Sequence, residues 1–160
     1  TGAYYNNLTG NNGTSISRNG IYLTGSTNNT LTNNIGTSNS SIAFYLVNNA
    51  NLNTLINNTG ISSGSHGMYI YTSNNTLINN TGISNGTSVG GLTIRGDYNN
   101  VTGNIGNNTG AGFGIYVYGS TKYNNLSYNN GFSDSGNAIQ CSGSYQEFNF
   151  NNCTSIYIIN

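Results

Sequence analysis

An asparagine that returns every 22 to 25 residues constrains this chain more than any other feature. Asn11, Asn34, Asn58, Asn80, Asn104, Asn129 and Asn151 each stand three positions after an aliphatic or aromatic residue: Leu8, Leu31, Leu55, Leu77, Val101, Leu126 and Phe148. Two positions before that apolar column runs another, Asn6, Asn29, Asn53, Asn75, Asn99 and Asn124, broken only by Gln146. Five positions after it come Gly13, Gly36, Gly60, Gly82, Gly106 and Gly131, with Cys153 closing the series. A polar residue held in such register is a structural element, and a short period of this kind belongs to a solenoid.

A second block in each unit alternates as a half-buried strand does. Its inward pairs are Ile21 and Leu23, Phe44 and Leu46, Met68 and Ile70, Leu92 and Ile94, Ile115 and Val117, and Ile139 and Cys141. Between them point Tyr22, Tyr45, Tyr69, Thr93, Tyr116 and Gln140. The distance from this block to the next apolar column varies, which marks a surface turn. No helical pattern is present. Leucine-rich repeats share the period but need a denser Leu frame. The pattern therefore predicts an all-β fold, a single-stranded parallel β-helix of about seven coils with ~23 residues per coil. In such a stack each Asn amide hydrogen-bonds along the axis, and Gly supplies turns with positive φ.

Composition acquires meaning from this register. Asn, Ser, Thr and Gly make up 96 of 160 residues, and only six residues are charged, three of each sign. Disorder is excluded by the periodic apolar positions and the absence of Pro. Three cations cannot neutralise a run of phosphates, so nucleic acid is excluded as a partner. No apolar run reaches the roughly 20 residues of a membrane span.

Runs such as Gly20-Ile21-Tyr22-Leu23 through Asn28-Asn29-Thr30-Leu31-Thr32-Asn33-Asn34, and Gly67-Met68-Tyr69-Ile70 through Asn74-Asn75-Thr76-Leu77-Ile78-Asn79-Asn80, resemble the parallel β-helix repeats of NosD-like and carbohydrate-binding β-helix proteins. The resemblance spans nearly the whole chain. It implies the fold and a surface location. It leaves function open, because β-helices include lyases, hydrolases, epimerases, tailspikes and structural proteins.

An enzyme is the weaker expectation. Glycoside hydrolysis needs two facing carboxyl groups, and the chain offers only Asp97, Asp134 and Glu147, spread over different segments. Asp97 with Arg95 reads as a solvated surface pair. His66, the sole histidine, reads as an exposed turn residue in Ser-Gly-Ser-His-Gly, with no metal-binding neighbours. No cofactor or metal is expected. Cys141 and Cys153, both in the last repeat, read either as a disulfide across the coil in an oxidising compartment or as two buried thiols, with the disulfide favoured.

Twelve Asn-X-Ser/Thr sequons begin at Asn7, Asn12, Asn28, Asn39, Asn57, Asn74, Asn79, Asn85, Asn100, Asn107, Asn125 and Asn152. In a secreted protein these are glycosylation candidates, with the turn positions Asn28, Asn39, Asn74, Asn85 and Asn107 foremost. Neither end reads as a polar cap. The first residues open in mid-coil and Ile156, Tyr157, Ile158 and Ile159 form a strand without its following turn, so Ala3, Tyr4, Tyr5 and Leu8 of a second copy complete the pattern. Head-to-tail stacking with first and last half-coils completed by neighbours follows, with an axial repeat near 33 Å at roughly 4.8 Å per coil. An excerpt of one longer β-helix is the alternative. Outward Tyr22, Tyr45, Tyr69 and Tyr116 form an aromatic stripe suited to lateral packing or to stacking on sugar rings.

The sequence thus leads to an extracellular or cell-surface structural protein, N-glycosylated and self-associating, with glycans as a further partner. The rival reading is a carbohydrate-binding or polysaccharide-processing β-helix module of tailspike type. Ice binding would require regular Thr ladders, which the Thr positions do not form.

Overall fold

Backbone amides in a polar, Gly-rich chain need partners, and here they find them in the next turn of the same chain. The structure is a computed structural model that describes residues 2–153 and 155–158. Its first coil contains β1 (Asn7–Thr9), β2 (Asn12–Ser15) and β3 (Ile21–Thr24), and its second β4 (Thr30–Thr32), β5 (Ile35–Ser38) and β6 (Phe44–Val47). Coil three holds β7 (Thr54–Ile56), β8 (Thr59–Ser62) and β9 (Met68–Ile70), and coil four β10 (Thr76–Ile78), β11 (Thr81–Ser84) and β12 (Gly90–Ile94). Coil five holds β13 (Asn100–Thr102), β14 (Ile105–Asn108) and β15 (Phe113–Val117). Coil six has β16 (Asn125–Ser127), β17 (Asn130–Ser133) and β18 (Ile139–Cys141), and coil seven β19 (Glu147–Asn149), β20 (Asn152–Cys153) and β21 (Ile156–Ile158).

The first, second and third strands of every coil align into three seven-stranded parallel sheets. The fold is the expected parallel β-helix. The first and last coils each carry three strands. Like residues pair with like. Leu31 stands opposite Leu55 and Leu55 opposite Leu77 in the first sheet, and Gly36 opposite Gly60 and Gly60 opposite Gly82 in the second. The core is a narrow column of side chains: Leu31, Leu55, Leu77, Val101 and Leu126 from the first sheet, and Phe44, Leu46, Met68, Ile70, Leu92, Ile94, Ile115, Val117 and Ile139 from the third, all fully buried. Each contributes about 2 kcal/mol of apolar burial as an upper estimate.

Two asparagine ladders flank the first sheet. At its far corner the Asn58 Oδ1 accepts both the backbone N–H and the side-chain amide of Asn34, each at 2.9 Å. The same pair of bonds links Asn58 to Asn80, Asn80 to Asn104, Asn104 to Asn129 and Asn129 to Asn151. The second amide proton turns back one coil to a backbone carbonyl, as from Asn58 to Leu31 (2.8 Å) and from Asn104 to Leu77 (3.0 Å). Buried amides are thereby satisfied without water. The near-corner ladder repeats the forward pair of bonds from Asn6 to Asn124. It ends at Gln146, whose Oε1 takes the Asn124 backbone N–H at 3.1 Å and leaves the Asn124 Nδ2 without a partner.

The expected role of the column glycines is corrected. Gly36, Gly60, Gly82, Gly106 and Gly131 are not at positive φ. They sit where the second sheet approaches the third: a Cβ on Gly82 would lie 2.1 Å from the Gly91 carbonyl oxygen. Positive φ falls instead on the residue before each ladder Asn. At the near corner these are Tyr5, Asn28, Leu52, Asn74, Tyr98, Tyr123 and Tyr145, and at the far corner Gly10, Asn33, Asn57, Asn79, Gly103, Tyr128 and Phe150, with φ between 52° and 68°. For Leu, Tyr and Phe that conformation costs roughly 1–2 kcal/mol each, which the ladder bonds must outweigh.

Two stability outcomes follow. Asn104→Ala strands the Asn80 N–H and amide and the Leu77 carbonyl in the interior, and urea denaturation should show a loss of about 3–5 kcal/mol. Leu52→Asn, at an exposed positive-φ corner, should raise the midpoint, by roughly 0.5–1 kcal/mol.

Candidate functional site: the outward tyrosine face

Alternate residues of the third sheet point away from the core, and most of them are aromatic. Tyr22, Tyr45 and Tyr69 follow one another at ring-centre distances of 5.7 and 5.4 Å, the second pair nearly parallel at 10°. Tyr116 sits against Phe113 at 4.6 Å and Tyr118 at 5.2 Å. The stripe is graded, not uniformly exposed. Tyr22 is 49% exposed, Tyr69 only 8%, and Thr93 is fully buried although it stands on the outer side of its strand.

Extra residues between the second and third sheets explain the covering. From the column glycine to the first inward residue of the third sheet is eight residues in most coils, but ten from Gly82 to Leu92 and nine from Gly106 to Ile115. Length variation is thus not confined to the turn after the third sheet, as the sequence pattern suggested. The added residues lengthen β12 and β15 to five residues and bring Gly90 beside His66.

His66 is correspondingly not the exposed turn residue expected. Its ring stacks on Tyr69 at 4.5 Å, and its Nδ1 faces the Thr93 hydroxyl at 2.8 Å and accepts the Gly90 N–H at 3.0 Å. Burial pushes its pKa down to about 4. Gly90 is required here, because a Cβ would lie 2.3 Å from the Thr93 Oγ1.

The Arg95–Asp97 pair is also replaced. Arg95 donates to the Tyr69 hydroxyl at 3.0 Å, and its guanidinium lies over Tyr71 and Tyr118, 4.8 and 4.2 Å from the ring centres. Asp97 turns elsewhere, its Oδ1 accepting the Lys122 backbone N–H at 2.8 Å. Burial, and secondarily the neighbouring tyrosines, raise the pKa of Tyr45. Burial is also the first cause of the upward shifts at Tyr69 and Tyr116. The phenols are therefore neutral donors and acceptors near neutral pH.

The disulfide expectation is corrected: both thiols are free. Cys141 lies in β18 of coil six opposite Val117 and Ile158, while Cys153 lies in β20 of coil seven opposite Gly131, so the two belong to different coils and different sheets. Burial raises both thiol pKa values. Among the sequon asparagines, Asn7, Asn12, Asn39, Asn57, Asn74, Asn79, Asn85, Asn100 and Asn152 are exposed. Asn28, Asn107 and Asn125 are half-buried, and Asn107 stands within β14, not in a turn. Of the self-association candidates, Ala3, Tyr4, Tyr5, Tyr157 and Ile158 are exposed and Leu8 is half-buried. Ile159 lies outside the described residues, as does the Ile156 side chain.

One aromatic feature escaped the sequence reading. Tyr98, Tyr123 and Tyr145 stack at 5.0 and 5.3 Å along the near corner, and Tyr128 stacks on Phe150 at 5.2 Å along the far one. Their common position, directly before a ladder Asn, was visible in the sequence.

Three parallel sheets, two asparagine ladders and an outward aromatic face define a parallel β-helix whose surface chemistry lies on its sides. Residues 2–160 match the family model described as periplasmic copper-binding protein (NosD), and the chain belongs to that family. No curated protein and no solved structure matches it. The donors present do not fit a copper site. His66 faces outward, Met68 is buried in the core two residues later, Cys141 and Cys153 stand three coils and more away, and no group of three His, Cys, Asp or Glu gathers among the described residues.

Two outcomes test this site. Because the folded pKa of His66 is below its unfolded value, the unfolded chain takes up the proton first as pH falls. Stability should be full above about pH 6.5, decline by on the order of 1–3 kcal/mol towards pH 4, and level off below; in His66→Gln this His-dependent decline should vanish. Dialysis against copper followed by metal analysis should leave no stoichiometric ion, whereas one tightly held copper per chain contradicts the donor geometry.

Proposed function

We propose that this chain is a non-catalytic structural β-helix of the cell envelope, working outside the cytoplasm, whose coils stack head to tail on those of neighbouring copies to form a filament. One observation carries the reading: each coil offers the next the same bonds, two ladder amides and three parallel strands, so the interaction between coils is the same at every level of the stack. Coil seven presents the Asn151 amide as donor, and coil one presents the Asn6 and Asn11 side-chain oxygens as acceptors. Ala3, Tyr4, Tyr5 and Leu8 of one copy then meet the edge formed by β19–β21, with Tyr5 extending the Tyr98–Tyr123–Tyr145 stack and Tyr22 following Tyr157. The family's description as periplasmic supports the location.

N-linked glycans on the exposed sequons fit the same reading, since Asn39, Asn57, Asn74, Asn79 and Asn85 lie outside the core and outside the ladders. Half-buried Asn125, whose Oδ1 is shielded from solvent, is not expected to be occupied.

Electron micrographs of native material should show fibres with an axial rise of about 33 Å, seven coils at ~4.8 Å each. Monomers at all concentrations, or a rise unrelated to the coil spacing, would sink the filament reading. Intact-mass and peptide mapping should find glycans on the exposed sequons, and their absence from native protein removes that part alone.

A further inference from the structure

Arg95 occupies the middle of the outward tyrosine face, one coil after Tyr71 and one coil before Tyr118. The Tyr71 and Tyr118 rings, one coil to either side, lie 4.8 and 4.2 Å from the guanidinium carbon, and the Tyr69 hydroxyl takes one N–H at 3.0 Å. The donors that remain lie in the guanidinium plane. A guanidinium is built to offer that edge to a planar, two-oxygen anion.

Among the described residues, none supplies such an anion. Asp97 is committed to the Lys122 backbone, Glu147 accepts from Asn149 in coil seven, and Asp134 follows β17 in coil six. The polar groups acting on Arg95 are all tyrosines. A cation fixed in position by three phenols, with no counter-charge, is a preorganised anion donor. Around it lie the half-buried Tyr45 and Tyr116, whose hydroxyls stay protonated, while Tyr69 is buried and meets the guanidinium through its hydroxyl.

We propose that Arg95, held between Tyr71 and Tyr118, anchors a binding site for a carboxylate-bearing sugar, that is, for an acidic glycan. The carboxylate pairs with the in-plane N–H groups of Arg95, and the sugar ring lies on the neighbouring phenols, where C–H groups meet aromatic surface and hydroxyls meet phenol oxygens. A bare carboxylate ion uses only the first contact and a neutral sugar only the second. The site stands on the side of the helix and does not depend on whether coils of separate copies assemble.

The test is titration of the native protein with a galacturonic acid trimer, a galactose trimer and acetate, followed by the Arg95 Nε–H resonance and by tyrosine emission, which no Trp obscures. The acidic trimer should half-saturate at a concentration at least about tenfold lower than either control and should shift the Arg95 resonance. Arg95→Gln should weaken it about tenfold or more, whereas Lys122→Gln, which removes the same charge from an exposed position, should leave it within about twofold. Arg95→Lys, which keeps the charge and loses the fork, should weaken it as Arg95→Gln does. Equal binding of the three ligands, an unmoved Arg95 resonance in the native protein, or equal loss in Lys122→Gln overturns the proposal. Binding by acetate as tight as by the trimer reduces it to a carboxylate site and refutes the sugar contact.

Discussion

One amide oxygen accepting two protons from the coil before it is the contact on which this molecule depends. Each far-corner ladder Asn from Asn34 to Asn151 receives a backbone N–H and a side-chain N–H from the coil before it, and gives a side-chain proton of its own to a carbonyl. Such a group can be buried only if the next coil places an identical group one strand spacing away. That demand fixes the register: a slip of one residue would remove the partners of both ladders at once. The apolar columns reinforce the register without defining it, because Leu, Val and Phe interchange at the inward position, whereas only one of the two ladders admits a single exception, Gln146.

The ladder has steric consequences that explain the rest of the composition. To aim an Asn side chain along the axis, the chain must turn sharply before it, and the preceding residue takes positive φ at both corners of every coil. Asn and Gly tolerate this, yet Tyr5, Leu52, Tyr98, Tyr123, Tyr128, Tyr145 and Phe150 do it as well. In the later coils the strain is accompanied by ring stacking from one coil to the next. The column glycines answer a different demand, the approach of two sheets whose backbones nearly touch. Charge is scarce for a related reason, since a charged column would face its own sign in every coil.

Much of the fold was legible because a repeat multiplies each weak signal. The apolar column, both ladders, the inward pairs of the third sheet and the count of coils all follow from spacing. What spacing could not distinguish was why a residue recurs. A recurrent Gly looks the same whether it serves a turn or a close approach. The outward face was only half legible. Tyr22, Tyr45, Tyr69 and Tyr116 alternate with inward residues in the sequence, but the burial of Tyr69 and Thr93 depends on the added residues before β12, and the sequence gives no measure of where added residues fold back. Local sequence also paired Arg95 with Asp97, two residues away. In the structure Arg95's neighbours along the axis are Tyr71 and Tyr118, each about a coil distant in sequence.

The site arises where the repeat is imperfect, and the solenoid leaves few other places for one. Inside, any departure from like-on-like stacking strands buried amides, as the orphaned Asn124 Nδ2 beside Gln146 illustrates. On the outer side of the third sheet no ladder has to be satisfied, so Thr93 can replace a tyrosine, His66 can turn onto Tyr69, and Arg95 can enter a column otherwise aromatic at Tyr71 and Tyr118. The same alternation limits what chemistry can gather. Residues two apart share a face only within a strand; His66 lies in the turn before β9, and Met68, the first residue of that strand, points into the core. A soft-metal cluster would need donors of one parity in adjacent coils, and this chain places in those outward positions phenols and a guanidinium instead. Those side chains stand on the outside of a coil whose interior is occupied with holding its own register.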